Sequence, residues 1–417
     1  MIDPEILVNT PDIVRLSQKK RGESQSIVED ALIARRNLRT AINNFETLRA
    51  EQNVLSKKIA GSEDSDRPEL MRVANLLAER VKNAREEQEK ANSEWKKLLF
   101  EIPNIVSSEA PYGVEDKCAV MKTVGDIPEF DFEPADHLQL GEQLDAIDVS
   151  RGVKVSGTRF YFLKGWGARL ELAVMNLALD LALKSGLTLL ITPTLVKPEI
   201  MLGTGFLGRH EGEVYRLPSG YYLTGTSEVA IAGYHSDEIL DISSGPIRYA
   251  GWSSCYRREA GSHGRDTRGI MRVHQFSKLE MFSYVHPQQS TRELEHIVSM
   301  QEKMLNLLEI PYRVSDIAAE ELGTSASRKY DLEAWIPSQN TWREVTSASD
   351  CTTFQARRLN VRYRDESGRT GYVATLNGTL ATTRFLVAIL ENHQTSNGSI
   401  RVPEALRPLL GQDVIER

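Results

Sequence analysis

Two long runs of apolar residues at three- and four-residue spacing constrain the fold of this 417-residue chain most strongly. The first run begins at Ile27 and the second ends at Ile102, and both keep the 3.5-residue repeat that is typical of a coiled coil. The segment between them, 61–68, contains no apolar residue and is long enough only for an antiparallel return. The sequence therefore predicts a helical hairpin over about 26–102, with arms of roughly 50 Å.

Start signals support both predicted helices. Ser26 and Glu29 have the spacing of a capping box, and Asp66, Pro68 and Glu69 are typical of a helix N-terminus. The outer positions carry basic residues with acidic residues interleaved, a pattern that on its own favours a solvated face. If the protein binds a nucleic acid, some of these basic side chains could contact phosphates.

Composition excludes several classes of protein. The net charge is −7 and the isoelectric point about 5.8, which argues against nonspecific binding to a polyanion. Cys118, Cys255 and Cys351 lie far apart, so we expect neither a disulfide framework nor a zinc site. No apolar run is long enough for a membrane span, and the N-terminus lacks the pattern of a signal peptide. We expect a cytoplasmic protein that contacts no membrane.

The pattern changes after the hairpin. Residues 104–135 are punctuated by Pro and Gly and are interpreted as a linker between an N-terminal domain, 1–103, and a C-terminal domain, 136–417. In the C-terminal domain, many strand-like runs surround a few helical patterns, at 168–186, 290–309 and 380–395. This order favours an α+β domain with a mostly antiparallel sheet and helices packed on it. Neither a P-loop nor a Rossmann glycine motif is present.

One group of polar residues surrounds a long polar loop. Arg257 and Glu259 end a strand-like segment, the loop 260–269 follows, and 271–282 is interpreted as the returning strand. At the two-residue period of a strand, the residues predicted to share one face are Arg272, His274, Phe276, Lys278 and Glu280. Arginine, an aromatic ring and a carboxylate suit a phosphate, a flat base and an amine.

Two further groups lie near predicted strand ends. Glu344 is followed three residues later by Ser347, and such a carboxylate and hydroxyl can bind Mg²⁺ between phosphates. Asn377 and Thr379 precede a predicted helix whose first turns carry Arg384, a natural phosphate site. Each group alone could be an ion pair, a core residue or a helix cap. Their occurrence together favours a ligand site.

The three groups resemble the signature motifs of class II aminoacyl-tRNA synthetases. The hairpin and four segments, TGTSEVAI (224–231), YRREAGSHGRDTRGIMRVHQF (256–276), FQARR (354–358) and LENHQ (390–394), narrow the resemblance to the bacterial-type seryl-tRNA synthetases. The resemblance implies a tRNA-binding hairpin followed by a class II catalytic domain. It also implies ATP-dependent formation of seryl-adenylate from L-serine, transfer of serine to tRNA(Ser) and also tRNA(Sec), and a homodimer formed by the first motif, which ends at Pro193.

The resemblance also implies roles for individual residues. Arg257 would contact the α-phosphate and the serine carboxylate, and with Arg384 it is the expected catalytic pair. Glu259 would accept from the adenine amino group, and Phe276 would stack on the base. The ATP set is Arg257, Arg258, Glu259, Arg272, Val273, Phe276, Glu344, Val345, Thr346, Ser347 and Arg384, in which Glu344 and Ser347 would bind Mg²⁺. The serine set is Thr226, Ser227, Glu228, Arg257, Glu280, Asn377 and Thr379. The loop 261–269 would reach the tRNA acceptor end.

The sequence departs from the family's usual patterns in two places. The third motif, 377–384, is one residue shorter than its common form, and the run 347–353 differs from the usual one.

Two alternative functions remain. Homologues that load amino acids onto carrier proteins typically lack the long hairpin, which is present here. An inactive tRNA-binding paralogue should have lost a phosphate-binding arginine or the metal-binding carboxylate, and all of these residues are retained.

Overall fold

The two segments with the 3.5-residue repeat form long helices, as the sequence predicts. In the computed structural model, which describes residues 1–207, 211–260, 268–365 and 367–416, α1 (Ser26–Ala60) and α2 (Arg67–Glu101) pack along each other. Their distal seam buries Leu48, Leu77 and Ala84. These helices belong to a compact unit, Met1–Ile105, which also contains the short helices Pro4–Asn9 and Pro11–Lys20.

The predicted capping box does not form. Helix α1 begins at Ser26, and the residue before it makes no side-chain cap. The amide of Ser26 instead donates to Ser24 Oγ at 3.1 Å. The Glu29 carboxylate accepts from Arg15 Nε at 2.7 Å. An ion pair with the preceding helix therefore replaces the reciprocal cap, and that part of the prediction is wrong.

The second compact unit, Val106–Arg417, is built on an eight-stranded sheet. Its strands are β1 (Ala119–Val124), β2 (Thr188–Ile191), β3 (Ile247–Tyr256), β4 (Gln275–Val285), β5 (Tyr312–Asp316), β6 (Arg328–Ile336), β7 (Thr341–Asp350) and β8 (Ala374–Thr382). The order across the sheet is β1-β5-β6-β7-β8-β4-β3-β2, and all neighbours are antiparallel except β2 and β3. The mostly antiparallel sheet confirms the predicted fold class.

Three helices pack on this sheet and bury its main core. They are α3 (Trp166–Lys184), α4 (Ser290–Leu307) and α5 (Arg384–Asn392). Helices α3 and α4 contact the central strands β4 and β8, and α5 contacts β6. Alternating apolar residues from both layers, including Met175, Ile297, Leu376 and Phe385, are at most 1% exposed. No helix in the described ranges is long and apolar enough to cross a membrane.

Short elements complete the second unit. The helices are His137–Gln143, Val149–Ser156, Pro198–Thr204, Glu228–Tyr234, Phe354–Leu359 and Arg407–Leu410. Single 3₁₀ turns are Glu115–Lys117, Glu211–Glu213, Pro287–Gln289, Ala319–Glu321, Pro337–Gln339 and Glu404–Leu406. The strands outside the large sheet are Ile147–Asp148, Phe162–Leu163, Leu195–Val196, Tyr215–Arg216, Tyr222–Leu223, Ile239–Leu240, Arg362–Arg364, Thr370–Tyr372, Ile400–Arg401 and Val414–Ile415.

Three boundaries differ from those that the sequence predicts. The helix predicted at 380–395 begins only at Arg384, because β8 continues through the buried Leu380 and Ala381 to Thr382. The strand predicted from 271 begins at Gln275, so Arg272 and His274 precede it. Strand β1 lies inside the segment interpreted as a linker, where it pairs with β5 at the sheet edge.

Candidate active site

A cavity of about 590 Å³ opens in the second unit beside strands β4, β7 and β8. It brings together residues from all three polar groups found in the sequence, although 120 positions separate the first group from the third. The predicted residues that line it are Thr226, Glu228, Arg257, Glu259, Arg272, Val273, Phe276, Glu280, Glu344, Val345, Thr346, Ser347, Asn377, Thr379 and Arg384. The antiparallel pairing of β4 with β8, and of β8 with β7, produces this convergence.

Two predicted site residues do not line the cavity. Ser227 is fully buried, and its hydroxyl donates to the Gly251 carbonyl at 2.9 Å. Arg258 is exposed, and its amide donates to the Glu213 carbonyl at 2.9 Å. Ser227 immediately precedes the helix Glu228–Tyr234, where its side chain turns toward strand β3 and away from the cavity. Most of the predicted acceptor-end loop, 261–267, lies outside the described residues.

Arginines and one aromatic ring form one wall of the cavity. The Arg257 guanidinium carbon lies 5.2 Å from the centroid of the Phe276 ring. Arg257 Nε also donates to the Gly225 carbonyl at 3.3 Å. Arg272 Nε lies 3.0 Å from Glu259 Oε2, and Glu259 has a left-handed backbone with φ 51°. A flat, positively charged wall of this kind suits a nucleotide base next to its phosphates.

The predicted shared face of 271–282 is only partly correct. Phe276, Lys278 and Glu280 alternate along β4 and all line the cavity. Arg272 also lines it, but from the segment before the strand. His274 does not line it, because its Nδ1 lies 2.9 Å from the Arg257 carbonyl oxygen and ties the two chain segments together.

Glu344 lies within a cluster of positive charges. Arg384 Nη1 lies 3.2 Å from its Oε1 and donates to its carbonyl oxygen at 3.0 Å. Partial desolvation among the cavity residues would raise the pKa of Glu344, but Arg384 first, and then Lys329, Arg257 and Arg272, lower it to about 2. The carboxylate is therefore ionised at every pH at which an enzyme would normally work.

A bulge in β7 places Glu344 and Ser347 at the same cavity. Thr346 pairs with Leu332 of β6, whereas Glu344 pairs with the next residue of β6, so Val345 is an extra residue in β7. In a regular strand, residues three apart point to opposite faces. The bulge reverses this alternation, and both side chains line the cavity.

This donor pair fits a magnesium ion. A carboxylate that stays ionised and a hydroxyl are hard oxygen ligands, and Mg²⁺ usually takes one or two protein ligands with phosphates and waters. Within the described ranges, no group of three or more His, Cys, Asp or Glu side chains is placed to hold a metal. Glu344 and Ser347 would leave coordination positions for the phosphates of a bound nucleotide and for water.

A small polar recess lies around two buried carboxylates. Glu280 Oε2 lies 2.6 Å from Lys278 Nζ and accepts from the Thr379 hydroxyl at 3.0 Å. Among the described residues, no cationic side chain lies within ion-pair distance of Glu228. Its Oε1 accepts from Gln355 Nε2 at 2.8 Å. The recess therefore carries more buried negative than positive charge, which suits a small ligand with an ammonium and a hydroxyl group.

The charge state of Glu228 follows from these surroundings. Burial first, and then the neighbouring Glu280, raise its pKa, whereas Gln355, Lys278 and Arg257 lower it, with the result lying at about 7. The carboxyl is therefore partly protonated at neutral pH. A cationic ligand would favour the ionised form.

Lys329, Ser349 and Gln355 are among the residues of the site that sequence reasoning missed. Lys329 and Ser349 line the cavity from β6 and β7, but neither belongs to the three polar groups that the sequence marks as a site. Lys329 Nζ lies 2.9 Å from Asp331 Oδ1. Gln355 lies behind the cavity and contacts Glu228. Only the FQARR segment of the family resemblance marks Gln355, and no local pattern marks Lys329.

The chain matches known proteins along its length. Residues 1–106 match the seryl-tRNA synthetase N-terminal domain, and 215–393 match the class II tRNA synthetase core domain of the G, H, P, S and T enzymes. A serine–tRNA ligase of Clavibacter sepedonicus is 60% identical over 412 residues, which cover 99% of this chain and 97% of the relative. The chain belongs to the seryl-tRNA synthetase family.

Solved structures of the family agree with this assignment. The crystal structure of seryl-tRNA synthetase from Pyrococcus horikoshii complexed with ATP has a TM-score of 0.95 and 35% identity, covering 100% of this chain and 99% of that one. The cytoplasmic serine–tRNA ligase of Naegleria fowleri in complex with AMP has a TM-score of 0.90 and 33% identity, with the same coverage. The predicted family is thus confirmed. As a member of it, this chain is an ATP-dependent ligase of the aminoacyl-tRNA synthetase class.

Proposed function

We propose that this chain joins L-serine to the 3′ end of tRNA(Ser) in two steps at the described cavity. A serine carboxylate oxygen attacks the α-phosphorus of ATP, and the bond to pyrophosphate breaks. A ribose hydroxyl of the tRNA then attacks the seryl carbonyl, and AMP leaves. The observation that carries the proposal is the convergence of Arg257, Arg272 and Arg384 on one cavity with the carboxylate recess.

The arginine wall would bind ATP. We assign the α-phosphate and the serine carboxylate to Arg257, the adenine ring to Phe276, and the adenine amino group to Glu259. Arg272 and Arg384 would bind the β- and γ-phosphates, and to do so they would exchange their ion pairs with Glu259 and Glu344 for phosphate contacts. Positioning and charge neutralisation lower the barrier, and no side chain has to form a covalent bond with the substrate.

Glu344 and Ser347 would hold Mg²⁺ against the phosphates. The bound ion would neutralise charge that develops on the phosphate oxygens. Arg384 keeps the Glu344 carboxylate fixed and ionised before the nucleotide arrives. The cluster is therefore arranged in advance for an anionic ligand.

The polar recess would bind serine. Thr226 and Glu228 would receive the α-ammonium group, and Glu280, Asn377 and Thr379 would surround the hydroxyl. Lys278 holds the Glu280 carboxylate through a 2.6 Å contact, so this acceptor has a fixed position. A charging assay with total tRNA and each amino acid in turn tests the proposal, which requires serine alone to be attached.

The first compact unit would bind tRNA. Arg35, Arg36 and Arg39 are exposed on α1 and could contact phosphates. We retain the division into a tRNA-binding domain, 1–103, a linker, 104–135, and a catalytic domain, 136–417.

The family resemblance supports three further inferences. We infer that the protein forms a homodimer through α3 and Pro193, that it is cytoplasmic, and that it also charges tRNA(Sec).

Serine recognition depends on Thr379. Because the Thr379 hydroxyl donates to Glu280 at 3.0 Å, Thr379→Val should lower kcat/KM for serine by about tenfold or more. Alanine, which brings no hydroxyl, should be affected less, so the serine-to-alanine ratio of pyrophosphate exchange should narrow. An unchanged ratio would place Thr379 outside the serine site and would indicate that the shortened third motif has a different register.

Serine activation should depend on pH through Glu228. Below a pKa of about 7 the carboxyl is protonated and neutral, so it no longer attracts the serine ammonium group. We expect kcat/KM for serine, measured by pyrophosphate exchange with saturating ATP, to fall about fivefold between pH 7 and pH 6 and to approach a tenfold fall per pH unit at lower pH. The prediction fails if this parameter is constant between pH 6 and 8.

A further inference from the structure

Gln355 lies directly behind the serine recess. It belongs to the helix Phe354–Leu359 and is fully buried. Its Nε2 donates to Glu228 Oε1 at 2.8 Å and to the Thr204 carbonyl at 3.3 Å. Its Oε1 accepts from the Thr375 hydroxyl at 2.8 Å. One side chain thus connects the ends of two short helices and strand β8 to the back of the recess.

This hydrogen-bond pattern fixes the orientation of the amide. If the amide were rotated by 180°, its oxygen would face the Glu228 carboxylate and the Thr204 carbonyl. The carbonyl can only accept a hydrogen bond, and so can the carboxylate when it is ionised. Three acceptors would then meet in a buried space without a proton between them. The observed orientation is therefore the one compatible with an ionised Glu228.

We propose that Gln355 is a positioning residue that holds Glu228 as an oriented, ionised acceptor for the α-ammonium group of serine. Gln355 supplies a donor without supplying charge. A lysine at this position would neutralise the carboxylate and remove its attraction for the substrate. The two carboxylates of the recess thus differ, since Glu280 has a fixed cationic partner in Lys278 and Glu228 has a neutral one.

Several other ionisable groups surround Glu228. Glu280 opposes its ionisation, whereas Lys278 and Arg257 favour it. Cys351 is also near, and burial raises its pKa well above the usual range, so the thiol stays neutral. Among these groups, Gln355 donates a hydrogen bond that is stronger to the ionised carboxylate than to the neutral acid, so the pKa of Glu228 should rise when Gln355 is removed.

The proposal rests on the proposed role of Glu228 in serine binding, and the test separates the two. The test measures kcat/KM for serine by pyrophosphate exchange from pH 6 to 8.5, with saturating ATP, in the full-length Gln355→Met variant. We expect the midpoint of the profile to move to higher pH by about one unit, with about a fivefold loss at pH 7 that nearly disappears at pH 8.5. KM for ATP should stay the same.

Two further variants complete the test. Thr375→Val removes the bond on the other side of the amide and should leave the midpoint within a few tenths of a unit. Gln355→Glu, which keeps the shape of the side chain, makes two carboxyls share a proton and should move the midpoint upward even if the methionine variant does not fold.

The outcomes separate the inference from the proposed function. An unmoved midpoint in folded Gln355→Met and Gln355→Glu variants, or a loss that is equal at every pH, overturns the role of Gln355. Glu228→Gln serves as the reference, because it should raise KM for serine strongly and abolish the pH midpoint. If Glu228→Gln instead binds serine normally, the assignment of Glu228 to the serine site is wrong, whatever the Gln355 variants show.

Discussion

Replacing Glu344 with glutamine should lower serine-dependent pyrophosphate exchange by about 10²- to 10³-fold. The substitution keeps the shape of the side chain but removes the charge that would bind Mg²⁺. It also leaves Arg384, which lies 3.2 Å from the carboxylate, without its ionic partner. Arg257→Ala should have an effect of similar size, because it removes the charge assigned to the α-phosphate.

Strand β6 offers a matched control for this substitution. Glu333 pairs directly with Glu344 across the two strands. Its carboxylate is bound by Arg313 at 2.7 Å and by the Ser315 hydroxyl at 2.6 Å, and it does not line the cavity. Glu333→Gln should therefore change stability slightly and leave the exchange rate within about threefold.

The two measurements together decide the metal assignment. Glu344→Gln should remain folded, since its carboxylate lies in an open cavity where its side chain is 43% exposed. Raising the Mg²⁺ concentration should restore part of the lost rate if the carboxylate is a metal ligand. Near-normal exchange in folded Glu344→Gln, or an equal loss in Glu333→Gln, would contradict the role proposed for Glu344.

Local periodicity predicted the hairpin and the existence of the three helices that pack on the large sheet. The 3.5-residue repeat of 26–102 specifies both a helix and the face that it buries, so few alternatives remain. The capping box of Ser26 failed because Arg15, on a different helix, competes for Glu29. A spacing rule contains no information about such a tertiary partner.

The limit of prediction from local sequence patterns is clearer at the candidate active site. The pairing of Glu344 with Ser347 was predicted from their spacing, but it depends on the bulge at Val345, which no residue pattern indicates. Lys329 contributes to the low pKa of Glu344 from the neighbouring strand, and only the strand pairing brings the two together. Motifs predicted the groups that meet the ligand, whereas the residues that orient those groups come from strand order and packing.

Shortening the hairpin should separate the two activities of the protein. The Arg35 guanidinium of α1 lies 5.7 Å from the Trp95 ring of α2, so these two positions are opposite each other in the hairpin. Because the helices are antiparallel, residues 41 and 89 are also opposite each other. Deleting 42–88 and closing the ends with a short Gly/Ser loop removes the distal seam around Leu48 and Leu77. It keeps the base of the hairpin, which contacts the helices Pro4–Asn9 and Pro11–Lys20.

In this shortened protein, serine-dependent pyrophosphate exchange should stay within about twofold of the full chain, because every residue assigned to ATP and serine lies beyond position 225. The second unit has its own buried core, which the deletion leaves intact. Charging of tRNA at physiological salt should fall by at least about tenfold, since phosphate contacts along the arm would be lost.

A charge variant of the full-length hairpin tests whether the basic face carries this effect. Neutralising Arg35, Arg36 and Arg39 with glutamine should reproduce part of the charging loss, and KM for tRNA should then depend less steeply on salt. Glu86, Glu87 and Glu89 on α2 provide the matched control, because their replacement with glutamine should leave tRNA charging unchanged or improve it. If the shortened protein charges tRNA as well as the full chain does, the hairpin is not the tRNA-binding element. If the deletion instead abolishes pyrophosphate exchange, the catalytic unit depends on the hairpin, and the proposed division into independent domains is wrong.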